Sequence, residues 1–75
     1  MMNGFTSRAV VESLRRQYPA GTRVALVSMN DPYTKLRPGD EGEVIAVDDI
    51  GTVHIQWDNG STLGAVYRED AIRKL

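Results

Sequence analysis

A chain of 75 residues allows one domain with one small core and excludes a second domain or a deep, enclosed active site. There is no cysteine, so neither disulfides nor a thiolate metal cage can stabilise it, and a reducing, cytoplasmic setting is expected. Nine Lys and Arg against ten Asp and Glu leave a net charge of −1, which argues against affinity drawn mainly from phosphate neutralisation. No apolar run approaches the roughly 20 residues of a membrane span, and the N-terminus lacks a charged-then-apolar signal pattern.

The first element is a helix over about residues 7–17. Val10, Val11, Leu14 and Tyr18 recur at i, i+1, i+4 and i+8 and so share one arc, with Arg8, Glu12, Arg15 and Arg16 opposite. Thr6 or Ser7 can cap it, Phe5 can staple onto Val10 if Thr6 is the cap, and Pro19 with Gly21 stops it. Glu12 and Arg16 have the favourable i,i+4 order. So short a helix is marginal alone, so its stripe must be buried on its own domain or on a partner.

From Thr22 the period becomes two, with Val24 and Leu26 alternating against Ala25 and Val27 in a first strand. Met29 to Glu41 shows no sustained period. With Asn30-Asp31-Pro32 and Pro38-Gly39 as turn formers, it reads as a long excursion like the RT loop of an SH3 barrel. Residues 42–48 form the next strand, Asp48 to Gly51 a turn, and 52–57 a strand whose core side is Val53, Ile55 and Trp57. Asn59-Gly60 predicts a type I′ hairpin. That turn sets Asp58 against Ser61, Trp57 against Thr62, Ile55 against Gly64 and Val53 against Val66. Leu63, Ala65 and Tyr67 then face outward as a dock for the helix stripe. A short turn over Arg68 to Ala71 leads to a last strand, Ile72 to Leu75.

The expected fold is therefore mainly β: a small SH3-like, five-stranded, partly open barrel preceded by one N-terminal amphipathic α-helix. Residues 1–20 form the extension and 21–75 the barrel, with Val24, Leu26, Val44, Val53, Ile55, Trp57, Val66 and Ile72 in the core.

Chemistry motifs are nearly absent. His54 is the only histidine, with no nucleophile spaced for a relay and no second imidazole for a metal site, so neither catalysis, metal nor cofactor is expected. Asp48-Asp49 reads as a turn, and Gly39 to Gly42 lacks the lysine and following helix of a phosphate cradle. Charge is uneven: Arg8, Arg15, Arg16 and Arg23 stand against Glu12 in residues 1–23, whereas 40–49 carry Asp40, Glu41, Glu43, Asp48 and Asp49 without one base. These are solvated faces or a bipolar surface that orients the domain on a partner. The parity of Trp57 makes it core rather than a ligand platform.

Gly21-Thr22-Arg23-Val24-Ala25-Leu26-Val27, Asp31-Pro32-Tyr33, Leu36, Pro38-Gly39, Gly42-Glu43-Val44, Val47 to His54, Trp57-Asp58-Asn59-Gly60-Ser61, Leu63-Gly64 and Glu69-Asp70 resemble the bacterial and phage domain-of-unknown-function family number 4314, over residues 21–75. That resemblance implies the fold and a setting in phages, mobile elements or their hosts, but no activity. Gln56 to Ser61 also resembles the mind-bomb/HERC-type SH3-like domain, which implies peptide recognition. Gly39 to Val47 resembles the KOW strand pattern, which implies RNA or protein contact.

The expected function is non-enzymatic protein binding, with a phage-encoded protein acting on a host protein as one instance. The long loop and last turn supply Tyr33, Leu36, Tyr67 and Arg68, assisted by Arg8, Arg15 and Arg16. The alternative is a nucleic-acid-associated barrel that uses the basic helix, against which the balanced charge weighs, as does the lack of an aromatic stacking array. Neither reading involves a membrane, and neither fixes the oligomeric state.

Overall fold

The computed structural model describes residues 7–31 and 33–75. The expected Thr6 cap, the Phe5 staple and Pro32 lie outside them. The helix, α1, spans Arg8–Gln17 and is capped by Ser7, whose hydroxyl accepts from the Val10 N–H at 3.2 Å. At its end the Tyr18 N–H returns to the Leu14 carbonyl at 2.8 Å. The ion pair on its exposed face is Arg8 to Glu12 at 3.3 Å, rather than the expected Glu12 to Arg16.

Five strands follow: β1 (Arg23–Ser28), β2 (Glu41–Val47), β3 (Thr52–Trp57), β4 (Ala65–Val66) and β5 (Ala71–Lys74). They form one antiparallel sheet in the order β4-β3-β2-β1-β5. The first and last strands in chain order pair with each other, so the sheet curls until its edges β4 and β5 come near without pairing. This is the expected SH3-like, partly open arrangement, with residues 29–40 as the long excursion between β1 and β2.

The core holds Val24, Leu26, Val44, Val53, Ile55 and Trp57 as expected, all 4% exposed or less. Val11 and Leu14 of α1 belong to the same buried cluster, so the helix packs on its own domain. Burying each contributes about 1.5–3 kcal/mol, enough to hold a helix too short to persist alone. Arg15 ties α1 to the end of β2, donating from Nε to the Val47 carbonyl at 3.1 Å and from Nη2 to Asp49 at 2.7 Å.

Two expectations are corrected here. The hairpin after Trp57 is not type I′: positive φ falls on Gly60 (95°) but not on Asn59. The Gly60 N–H bonds to the Trp57 carbonyl at 3.0 Å and the Trp57 N–H to the Ser61 carbonyl at 2.8 Å. These bonds describe a three-residue loop with a glycine bulge, which needs only one left-handed residue. The register therefore moves by one, pairing Thr52 with Val66 and Val53 with Ala65. Ala65 points inward at 4% exposure and Val66 outward at 37%, the reverse of the expected parity. The outward dock of Leu63, Ala65 and Tyr67 is thereby lost, and the helix joins the inner cluster instead.

A bulge also interrupts β2, where Val44 pairs with Ile55 but Ala46 with His54. Ile45 is the extra residue, and Val47 is thereby turned into the core. The second correction is Ile72, which is half-buried against the core rather than within it.

Candidate functional site

The residues singled out in the sequence separate into four places. Leu36 is core at 6% exposure, its N–H bonded to the Thr34 hydroxyl at 3.1 Å, so its side chain is withdrawn from any partner. Tyr33 is 91% exposed at the turn of the long loop, where the Asp31 carboxylate accepts its N–H at 2.9 Å. It borders a shallow depression shared with Asn59 to Leu63. Arg8 and Arg15 lie together near Asp49 and are both paired, while Arg16 is exposed. Tyr67 and Arg68 line a mainly apolar groove.

That groove, about 340 Å³, runs between α1 and the segment joining β4 to β5. The helix contributes Val10, Leu14 and Tyr18 because these share the apolar arc, and the deepest two of its stripe, Val11 and Leu14, leave Val10 and Tyr18 only half-covered. The floor is Val53, Ala65 and Ile72; the rim is Val66, Tyr67 and Arg68. Lys74 sits over the Tyr18 ring, 5.6 Å from its centroid. Because Tyr33 flanks the far end of the β3–β4 ribbon, it and Tyr67 do not share one surface.

The rim is held by Asp70. Its carboxylate accepts the N–H of Val66 at 2.8 Å and of Asn30 at 2.7 Å, while the N–H groups of Glu69 and Asp70 both return to the Val66 carbonyl. Within this turn Arg68 has φ 71°, the only positive value at a non-glycine among the described residues. Sequence reading missed Tyr18 and Asp70 here. Tyr18 lay on the apolar stripe, and Asp70 four residues after an apolar strand end is a turn-bonding position.

Beside the groove floor, Asp48 organises the β2–β3 turn. One carboxylate oxygen accepts the N–H groups of Ile50 and Thr52 and the other faces His54 Nε2 at 2.8 Å. Partial burial alone would raise its pKa, but the bonds from His54, Thr52 and Ile50 outweigh that and hold it below the usual carboxylate range. His54 has no hydroxyl or thiol bonded to its ring among the described residues. Nor do those residues include three His, Cys, Asp or Glu grouped to hold a metal.

Early bases and mid-chain acids also meet elsewhere. Arg23 donates from Nη1 and Nη2 to both carboxylate oxygens of Asp58, lying near Glu41 as well. That forked bond lowers the Asp58 pKa and raises that of Arg23. With Arg15 on Asp49, much of the uneven charge is answered within the molecule.

The curled five-stranded sheet with its one helix defines a small β-rich domain carrying a groove at its seam. The family model described as "Domain of unknown function (DUF4314)" matches residues 7–75, and the chain belongs to that family. The match begins at the Ser7 cap and so includes α1, which the resemblance read from sequence had left outside. No curated protein matches the chain. No helix among the described residues is long and apolar enough to cross a membrane.

Proposed function

We propose that this domain is a non-enzymatic protein-binding module and that its partner docks in the groove between α1 and the β4–β5 segment. The supporting observation is the groove itself: apolar floor, two half-open aromatic residues at the rim, and walls fixed to the core. Such a concavity recognises a segment of another protein by taking apolar side chains between aromatics. Tyr67 and Arg68 are the contact residues kept from the sequence reading, joined by Tyr18. In this proposal the domain works in the cytoplasm, and a phage or mobile element acting on a host protein is one setting for it.

The test is capture from bacterial lysate by the immobilised chain and by its Ser13→Trp variant, which fills the groove from the helix side. Proteins should be retained by the parent, lost by Ser13→Trp and by Tyr67→Ala, and unaffected by Tyr33→Ala or nuclease. Retention that survives Ser13→Trp moves binding off the groove. Retention abolished by nuclease replaces this reading with nucleic-acid association.

A further inference from the structure

We infer that the groove selects acidic–apolar peptide segments, with Arg68 as the residue that reads the carboxylate; this rests on the protein-binding reading of the same groove. Two charged side chains line it, Arg68 and Asp70. Asp70 is committed, because each carboxylate oxygen accepts a backbone N–H, one from Asn30 and one from Val66. Arg68 makes no ion pair or side-chain hydrogen bond among the described residues, whereas Arg8, Arg15 and Arg23 each do. Of the two charges in the groove, only the cation has a side chain without a bonding partner among the described residues, and it stands beside an apolar floor.

The backbone of Arg68 is the second observation. Its φ of 71° is unfavourable for any residue with a Cβ and comfortable for glycine, yet an arginine stands there on a turn locked by three bonds among Val66, Glu69 and Asp70 and by one from Asn30. Strain held in a rigid turn at a groove mouth is a feature of ligand clamps. It fixes the direction in which the Cα–Cβ bond of Arg68 leaves the turn, and the five-donor fork that this side chain carries matches a carboxylate. A space of about 340 Å³ suits a short segment with one anchoring side chain rather than a folded surface.

The probe is a display library of random peptides panned against the immobilised chain, with selected peptides then titrated by fluorescence anisotropy. Recovered peptides should pair an apolar residue with a nearby Asp or Glu and should be lost on Ser13→Trp. They should bind Arg68→Gln roughly ten- to hundredfold more weakly, the range for a bond between charged groups. Arg68→Lys should restore part of that affinity. Arg68→Gly separates the roles, because it should raise the thermal midpoint while weakening binding; a merely structural Arg68 would move both the same way. Groove-dependent peptides without acids, or with equal affinity for Arg68→Gln, overturn acid recognition and leave the protein-binding reading standing. Recovery of no groove-dependent peptide overturns both.

Discussion

In the central strands β1, β2 and β3, the side chains of Trp57, Ile55, Val24 and Val44 are almost wholly withdrawn from water. On the side formed by α1, β4 and β5, Val10, Tyr18 and Ile72 are half-buried, Val66 and Tyr67 are exposed, and a strained Arg68 stands at the rim. Both regions draw on the same kinds of apolar residue. In the first they interlock at close range. In the second they surround a space, and the strand beside it, β4, is only two residues long. The most completely buried side chains thus lie in three strands, while apolar surface stays open at the seam.

Substitutions should separate the two regions by size of effect. Trp57→Ala removes the largest buried side chain and its bond from Nε1 to the Leu63 carbonyl at 2.8 Å, and should cost about 3–5 kcal/mol by chemical denaturation. A midpoint equal to the parent's would place Trp57 at the surface. Gly42→Ala should cost about 1–3 kcal/mol, because a Cβ there meets Ile55 Cγ2 at 2.7 Å and the Gln56 carbonyl at 2.8 Å.

Gly60→Val should cost about 1–2 kcal/mol through its left-handed φ and speed amide exchange over residues 55–64. Asn59→Val should cost less, about 0.5–1 kcal/mol, because it loses only the side-chain acceptance of the Ser61 N–H at 2.9 Å. Equal damage from the two would restore the type I′ turn and the discarded register.

The smallest effect expected is on pH. Asp48 has its folded pKa below the ordinary value of 3.8, so it stabilises the fold above that value and the contribution disappears as pH falls through the lower folded one. Asp48→Asn should flatten the acid limb of the stability profile. An unchanged limb would assign acid sensitivity elsewhere, to Asp58 first.

What the sequence revealed followed from regular periods. Val53, Ile55 and Trp57 alternate with polar residues, so β3 and its inward face were plain; Val10, Val11 and Leu14 likewise marked the helix and its buried side. Three features were hidden for specific reasons. Asn59-Gly60 fits two loops that differ by one residue of register, and only the bonds at Trp57 distinguish them. Val44 to Val47 is uniformly apolar, so no alternation betrays the bulge at Ile45. Leu36 sits in a segment without a period, which concealed a core residue among presumed surface ones. The groove was half visible: Tyr67 and Arg68 were candidates, but its other wall is a helix some fifty residues earlier, and no local pattern joins segments so far apart.

The carboxylate of Asp70 has a consequence for assembly. By taking the Val66 N–H, while the turn takes the Val66 carbonyl, it leaves the rim of β4 with no free backbone pair at that residue. A second chain finds no backbone donor and acceptor to join at Val66, the usual protection of a short edge strand. By the same closure main-chain pairing, which every sequence offers alike, is denied at Val66, and the turn presents side chains in its place.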